Sequence, residues 1–414
     1  MFSSLRARNL LFFAMLGLFL AGTNRWMSWD DGIGFLQAND VRSYETIAQA
    51  APLFPSRQIQ MHHAQRFVVH YAVGSASQTL GIRLHTLYRF AWAALILLTL
   101  YAIHQALVAL QIDPTAYRLC LALFLTNPYA LRYYAIVPGM LQDLVFVFGT
   151  AVVWLGLVRT SGSLVVAGTL VAALGRQTAV MLVPAIGAWM FWSTAWRARS
   201  ARERMLWAIL PGVAAGVCYV ATSRVVRSFA LPSLNVDYLV GLLVWVKGGD
   251  FAWVTLGELC LRAAVPFAVS VAVVLGLVAS AQRKSRSAWP LPREVWLCLF
   301  FMMMIAAQPI LAGPKITGQN ASRLSALGLV YAVGMVAYAY RSIQPAWSSP
   351  RRIVLGAILL LSSLHHAYSV WGPQDARQFA LAQFALAAGA LACVALAARQ
   401  TRRLENGLQV KNEP

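Results

Sequence analysis

Long runs of apolar residues, separated by short polar segments, dominate the pattern of this chain. Five of these runs contain no charged side chain, at residues 10–22, 90–110, 205–222, 264–279 and 353–363. A membrane span needs about 20 mostly apolar residues, and the runs reach that length once their flanks are included. Because lipid offers the backbone no hydrogen-bond partner, such segments are helical. The pattern therefore predicts a chain that crosses a membrane many times.

The predicted fold is an all-α, polytopic bundle of about twelve membrane-spanning helices. The predicted spans are residues 9–24, 86–110, 117–132, 141–158, 162–175, 178–195, 206–224, 258–281, 294–312, 323–340, 353–370 and 377–397. They form one transmembrane domain over residues 1–398, followed by a basic tail over residues 399–414. Arg6 and Arg8 precede the first span as in a signal peptide, but Ala21-Gly22-Thr23 is a poor cleavage site. We therefore expect an uncleaved first helix.

Two longer polar segments, residues 25–85 and 225–257, connect predicted spans. Helical spacing in the first segment predicts two amphipathic helices, over residues 40–51 and 64–80. The apolar face of the first helix holds Tyr44, Ile47, Ala48 and Ala51, and Asn39 or Asp40 can cap its start. The apolar face of the second holds Phe67, Val68, Tyr71 and Ala72. We expect both helices to lie in the plane of the membrane surface.

The charge of the chain indicates its orientation in the membrane. Charged residues make up 12% of the sequence, against about 25% in a soluble domain, and the net charge is +20. Cytoplasmic loops of membrane proteins collect Lys and Arg, so this charge predicts no nucleic-acid partner. The basic clusters at residues 6–8, 197–204, 283–293, 341–352 and 399–403 fall on one side of the predicted bundle. We expect a bacterial inner-membrane protein with both termini in the cytoplasm and the two long loops in the periplasm.

Asp40 is the first candidate for chemistry, because it starts an interfacial helix on the side where most acids fall. A carboxylate there is favoured by the helix dipole. One interpretation is a plain helix cap. The other is a carboxylate held at the membrane surface as a general base.

Asp143 and Arg176 are charges at the ends of predicted spans, where an unpaired charge is costly and indicates function. Asp143 has two candidate partners, Arg132 and Arg176. An Arg between apolar stretches needs an anion, and its guanidinium fork suits a carboxylate or the phosphate of a lipid substrate. Arg66 and Arg323 are further cations on the same side, whereas Lys315 fits a solvated side chain.

No residue pattern predicts a cofactor. His62-His63 and His365-His366 are adjacent pairs without metal-ligand spacing, and the five cysteines have no repeating spacing. A divalent metal stays open as an alternative at the Asp30-Asp31 pair. The sequence contains no phosphate-binding P-loop and no G-x-S-x-G motif. These absences argue against an ATP-driven transporter subunit and a serine hydrolase.

The order of these features resembles the polytopic GT-C glycosyltransferases, the class of the protein O-mannosyltransferases and the lipid A aminoarabinose transferases. Residues 40–48 are similar to the Asp-Glu-x-x-Tyr-x-x-x-Ala-like motif after the first span, with Val41 in place of the second acid. Gln65-Arg66-Phe67 stands where that class has a Lys-Pro-Pro-like stretch. Asp143 matches an acid that opens the fourth span, and residues 168–178 match a glycine-containing helix that ends in a basic residue. The resemblance covers residues 1–195 and is weak beyond them.

The resemblance implies a glycosyltransferase that moves a hexose or pentose from a polyprenyl-phosphate donor to a lipid, glycan or protein acceptor at the periplasmic face. It implies inversion at the sugar, with Asp40 as the general base. It implies substrate contacts from Tyr44, Arg66, Arg132, Asp143, Arg176 and Arg323. The arginines would stabilise the charge of the leaving phosphate.

Two other classes fit part of the pattern. A secondary transporter or lipid-linked oligosaccharide flippase needs charges near the membrane midplane and often paired halves. A polymerase or ligase of surface polysaccharides usually has its large outer loop late in the chain. Here the charges crowd the outer helix ends, the halves differ and the longest loop comes first.

Overall fold

The structure is a computed structural model of the chain that describes residues 2–231, 245–247, 252–281, 291–317, 320–343, 349–372 and 375–410. Within these residues the fold is all-α, as predicted, apart from one pair of two-residue strands. Seven of the described helices are long and apolar enough to cross a membrane: Leu84–Ala109, Leu141–Val158, Ala201–Val226, Trp253–Ala279, Arg293–Ala312, Ala321–Ile343 and Arg377–Leu396. Several apolar helices of this kind are consistent with a multi-pass membrane protein.

Each predicted span overlaps a helix, but the count of about twelve spans stays a prediction. Three further apolar helical segments in the described part of the chain are shorter, at Asn9–Thr23, Gly162–Gly175 and Gln177–Trp192. Length and composition alone do not establish that these shorter segments cross the membrane.

The segment after the first helix, α1 (Phe2–Thr23), carries the amphipathic helices. It contains α2 (Trp29–Leu36), α3 (Asp40–Ala50), β1 (Ile59–Gln60), α4 (Met61–Ala64) and α5 (Phe67–Leu80). The helix predicted over residues 40–51 is confirmed as α3. Its predicted apolar residues are each at most 1% exposed: Tyr44, Ile47, Ala48 and Ala51.

The face that α5 buries differs from the predicted face. The predicted apolar residues are half-buried or exposed: Phe67, Val68, Tyr71 and Ala72. The helix instead buries His70, Val73 and Gly74. Gly74 lies against the α3 backbone, since an added Cβ would come within 2.0 Å of the carbonyl oxygen of Ala48. The orientation of α5 is set by the close contact of its backbone with that of α3 and by the ring of His70, which has partners in the core.

The remaining helices form the bundle. In chain order they are α6 (Leu84–Ala109), α7 (Pro114–Thr126), α8 (Arg132–Ile136), α9 (Leu141–Val158), α10 (Gly162–Gly175), a 3₁₀ turn (Gln177–Met181), α11 (Leu182–Trp192), α12 (Ala201–Val226), α13 (Trp253–Ala264), α14 (Ala268–Ala281), α15 (Arg293–Ala312), α16 (Pro314–Thr317), α17 (Ala321–Ser325), α18 (Leu329–Ile343), α19 (Ser349–Leu364) and α20 (Ala376–Val410). The last helix continues past the predicted end of the span at residue 397 and into the predicted basic tail.

Helices α9 and α10 form a tight antiparallel hairpin because glycines line their contact. An added Cβ at Gly149 would lie 2.4 Å from the backbone nitrogen of Ala172, and one at Gly168 would lie 2.6 Å from that of Val153. Small residues let two backbones approach where lipid gives no hydrophobic drive to association. The hairpin thereby holds the start of α9 beside the end of α10.

The two ends of this hairpin differ in charge. Asp143 and Arg176 lie at one end, which we call the Asp143 end. At the other end, Arg199 donates a hydrogen bond to the carbonyl of Thr160 at 3.1 Å, and Arg159 donates one to Gln105 at 2.5 Å. We call this the Arg159 end. Eighteen residues of α9 separate the ends by about 27 Å, the length needed to approach both membrane surfaces.

The two long polar segments touch one another at the Asp143 end. Strand β1 pairs in parallel with β2 (Ala230–Leu231), and Phe54 stacks on Phe229 with ring centroids 5.3 Å apart. The sequence pattern gave no sign of this pairing. Most of the second segment lies outside the described residues, including Asp237 and Asp250.

Candidate functional site

Asp40 stands in the first turn of α3 and is partly open to solvent. Its carboxylate Oδ1 lies 3.5 Å from Nε2 of His63, and its side chain is 37% exposed. The other ring nitrogen of His63 lies 3.2 Å from the hydroxyl of Ser43. Asn39, the residue before the helix, makes no side-chain cap. The carboxylate therefore faces an imidazole on one side and remains accessible on the other.

Tyr44 lies one turn further along α3 and connects this helix to two others. Its ring stacks on His70 at 4.2 Å, and its hydroxyl accepts a hydrogen bond from Nη1 of Arg66 at 2.9 Å. Nε of Arg66 in turn donates to Oε1 of Gln177 at 3.4 Å, in the turn that follows α10. Burial raises the pKa of Tyr44 above its ordinary value, so the phenol stays neutral. Arg66 thus links the Asp40 helix to the end of the glycine-lined hairpin.

Asp143 and Arg176 form a buried ion pair at that end. Nη1 of Arg176 donates to Oδ1 of Asp143, and the two side chains are 3% and 0% exposed. Gly175 makes the pair possible, because an added Cβ there would lie 2.4 Å from the carbonyl of Gln142. Among the described residues, Oδ2 of Asp143 and Nε of Arg176 have no hydrogen-bond partner. The pair therefore keeps one acceptor and one donor for another group.

Arg323 reaches the same region from α17. Its guanidinium donates a hydrogen bond to the hydroxyl of Tyr133 and lies 5.2 Å from the centre of that ring. The residue is 8% exposed, and its Nε has no partner in the described part of the chain. Its charge acts on both Asp40 and Asp143. Residues from α3, α9, α17 and the turn after α10 thus converge.

The electrostatics of Asp40 reflect this convergence. Burial alone would raise the pKa of Asp40, but His63, Arg323, Arg66 and His62 together lower it below its ordinary value. Burial lowers the pKa of His62 to about 3 and that of His63 to about 4, so both rings are neutral near pH 7. The two arginines therefore keep Asp40 ionised, with a neutral imidazole beside it.

The structure brings together six of the seven residues singled out from the sequence: Asp40, Tyr44, Arg66, Asp143, Arg176 and Arg323. We call the five charged members of this set the carboxylate–arginine cluster. Three arginines face two carboxylates, so the cluster carries one net positive charge.

Arg132, one of the two candidate partners of Asp143, lies elsewhere. It donates hydrogen bonds to the hydroxyls of Ser363 at 2.9 Å and Thr23 at 2.7 Å. It also lines a cavity of about 520 Å³ between α1, α6, α7 and α8. The next residue along α8, Tyr133, contacts the cluster through Arg323. Successive residues of α8 therefore serve two different sides of the bundle.

His63, Tyr133 and Gln177 were missed as contributors to the site. The adjacent pair His62-His63 suggests at most a metal ligand, and the contact of His63 with Asp40 spans 23 positions of sequence. Gln177 neighbours Arg176, which was the only signal available for it. Asp30, the alternative acid, is 70% exposed and pairs with Arg42 at 2.5 Å. The side chain of Lys315 and the backbone of residues 318–319 lie outside the described part of the structure.

Within the described residues, no three His, Cys, Asp or Glu side chains come together in a group that could hold a metal ion. The polar groups that converge here are mainly cations, which suit an anionic ligand such as a phosphate. Comparisons of the chain with protein-family models, with curated proteins and with solved structures found no match.

Proposed function

We propose that the chain is a membrane glycosyltransferase that moves a sugar from a polyprenyl-phosphate donor to an acceptor hydroxyl. The observation that carries this proposal is the meeting of a partly exposed, ionised Asp40 with the three arginines of the carboxylate–arginine cluster. Transfer from a lipid phosphate needs a base for the acceptor and cations for the leaving group. The cluster combines both within one region.

Asp40 is the carboxylate suited to act as the base. Asp143 is fully buried and bonded to Arg176, whereas the side chain of Asp40 is 37% exposed. In the proposed reaction Asp40 takes the proton of the acceptor hydroxyl while the acceptor oxygen bonds to the anomeric carbon. The bond from that carbon to the phosphate oxygen breaks, and its electron pair leaves with the polyprenyl phosphate. Attack opposite the phosphate inverts the anomeric centre.

The arginines supply the charge that the departing phosphate needs. A phosphate is a stable anion, so it leaves without a strong acid, but its negative charge must be met inside a partly buried site. Arg176 and Arg323 each keep one donor without a partner among the described residues. Guanidinium forks bind phosphate through paired hydrogen bonds. The net positive charge of the cluster supports this use.

We infer that the Asp143 end faces the periplasm of a bacterial inner membrane and that the Arg159 end faces the cytoplasm. The basic residues at the Arg159 end, among them Arg159 and Arg199, support this orientation, because Lys and Arg collect in cytoplasmic loops. The inference keeps about twelve spans, with both termini in the cytoplasm. It places acceptor and donor headgroup together at the periplasmic surface.

The location of the cluster favours an enzyme over a transporter. Asp143 lies in the first turn of α9, and Arg176 follows the last residue of α10. The charges therefore sit at helix ends, near one membrane surface. Transporter sites lie near the bilayer midplane, where broken helices face one another.

The test compares Asp40→Asn with Asp30→Asn as the matched control. Both changes remove one carboxylate and keep its shape, but Asp30 is 70% exposed and bonded to Arg42. Asp40→Asn should lower transfer by about 100- to 10,000-fold, the range for a lost general base, while Asp30→Asn keeps most of it. The measurement is transfer of labelled hexose and pentose from polyprenyl-phosphate donors in membranes with matched protein abundance.

Two outcomes would contradict the proposal. Full activity of Asp40→Asn together with loss in Asp30→Asn would move the base to the Asp30-Asp31 pair. A wild-type protein that transfers no sugar from any donor, but moves the donor lipid across vesicles, would make the chain a transporter.

A further inference from the structure

A long slot lies on a different side of α8 from the carboxylate–arginine cluster. It is the cavity of about 520 Å³ between α1, α6, α7 and α8, within the size range of small-molecule sites. Asn24, Trp26 and Arg132 line it at the Asp143 end, and His104 and Tyr117 line it toward the Arg159 end. Trp92 and His104, twelve positions apart on α6, are separated by about 18 Å along the helix axis. The slot therefore runs along the helix axes, as a lipid chain does.

The walls of the slot are mainly apolar, and Gly17 and Ala21 of its α1 wall are exposed. Leucines from α1, α6 and α7 line its length, and Gly17 leaves space in its wall because an added Cβ there meets no atom within 4 Å. Trp26 and Tyr101 at its rim are 61% and 62% exposed. Trp and Tyr favour the membrane interface, which places the Trp26 rim near the headgroups.

Arg132 gives the slot one charged end. The residue is 1% exposed, and its hydrogen bonds go to neutral oxygens of Ser363, Thr23 and Leu20. No ion pair of Arg132 is found in the described ranges of the chain. Two more polar groups line the slot near Arg132 and have no hydrogen-bond partner among the described residues: Oδ1 of Asn24 and Nε1 of Trp92. A buried guanidinium with no anion is costly, so the end of the slot is complementary to a negative headgroup.

We propose that the slot binds one anionic phospholipid of the surrounding bilayer, with its phosphate at Arg132 and one acyl chain along α6. The proposed occupant is distinct from the sugar donor, because Arg132 lines the slot whereas Tyr133, the next residue of α8, contacts Arg323 of the cluster. The proposal goes beyond the glycosyltransferase reaction and does not depend on it. A lipid here joins α1 to α6 and α7, and it stabilises the wall that carries Tyr133 to Arg323.

The experiment counts lipid retained by the full-length protein. Wild type and variants are reconstituted in vesicles of equal parts phosphatidylglycerol and phosphatidylcholine and extracted in mild detergent. Native mass spectrometry then identifies the bound lipid from the mass of the complex. Wild type should retain one phosphatidylglycerol, preferred over phosphatidylcholine by about tenfold, because both headgroups carry a phosphate but the choline cation of phosphatidylcholine places a second positive charge near Arg132. Arg132→Leu should lose that preference. Gly17→Leu should fill the slot and lose the lipid.

Gly216→Leu is the matched control for Gly17→Leu. Both glycines are exposed within apolar helices, and an added Cβ meets no atom within 4 Å at either, but Gly216 does not line the slot. Gly216→Leu should retain lipid as wild type does. If Arg132→Leu fails to fold, this pair alone decides the question.

Three results would overturn the proposal. Gly17→Leu could hold as much phosphatidylglycerol as Gly216→Leu, or a folded Arg132→Leu could keep the wild-type preference. In a parallel arm with added polyprenyl phosphate, displacement of phosphatidylglycerol from the Gly17-sensitive site would assign the slot to the donor instead.

Discussion

Asp143 and Arg176 are the most deeply buried charges of the carboxylate–arginine cluster, at 0% and 3% exposed. Removing one partner of such a pair strands the other charge in the protein interior. Asp143→Asn should therefore destabilise the protein by about 3–5 kcal/mol. Asp143→Asn combined with Arg176→Gln should recover part of that loss, because no charge is then left unpaired. Apparent melting temperatures of the purified variants would check this, and a single variant as stable as wild type would contradict it.

His63 should make stability depend on pH. Burial lowers its pKa to about 4, with Arg66 and Arg176 acting in the same direction and Asp40 opposing them. An unfolded His has a pKa of about 6.5 and takes up a proton first as the pH falls. A lowered pKa in the folded state therefore costs stability from about pH 6.5 down to about pH 4.

His63→Gln cannot take up that proton. Its melting temperature should fall less than that of wild type between about pH 7 and about pH 4.5. Thermal scans of both proteins in one detergent at the two pH values provide the measurement. Equal falls for the two proteins would mean that His63 carries no such proton linkage.

At the scale of the element, the α9–α10 hairpin determines where Arg176 lies. Gly175→Ala would place a Cβ 2.4 Å from the carbonyl of Gln142 and 2.7 Å from the nitrogen of Phe146. The helices would have to separate, at a cost of about 1–3 kcal/mol, and Arg176 would shift away from Asp143. We expect a lower melting temperature and reduced sugar transfer together.

Gly187→Ala in α11 is the control for this change. An added Cβ at Gly187 meets no atom within 4 Å, so the variant should be neutral or more stable, since Ala favours helix over Gly by about 1 kcal/mol. Equal effects of the two substitutions would show that helix propensity, and not backbone contact, governs the hairpin.

For the whole molecule, the basic residues near the Arg159 end predict the topology. A reporter domain fused after Arg204, near the Arg159 end, should be active only in its cytoplasmic form. One inserted near Pro55, in the segment that carries α3, should be active only in its periplasmic form. The physical reason is the retention of Lys and Arg on the cytoplasmic side. Both reporters on one side would change the number of spans between them by one.

The helical class and the position of most helices followed from the amino-acid sequence alone. The period of the hydrophobic pattern and the length of the apolar segments are sufficient to locate helices, because a backbone in lipid has few alternatives to a helix. The predicted segments 141–158 and 162–175 coincide with α9 and α10. The face of α3 also followed from spacing, since Tyr44 and Ile47 lie three positions apart with polar residues between them and are both 0% exposed.

Sequence was also sufficient to single out the charges of the candidate site, because a charge at the end of an apolar run is rare and costly. Which charges meet was decided only by tertiary structure. Asp143 pairs with Arg176, and not with the nearer Arg132, because the glycine at position 175 lets α10 end against α9. Arg132 turns instead to Thr23 and Ser363, 109 and 231 positions away.

Tertiary contacts also decided which face of α5 is buried and that β1 pairs with β2. His70 is buried because Tyr44 and Tyr88 receive its ring, and no spacing rule on α5 alone contains those partners. Ile59 meets Ala230 because the bundle brings two distant loops to one end. Local periodicity reports how much of a helix is apolar, whereas the partner of each polar group depends on contacts between segments far apart in the chain.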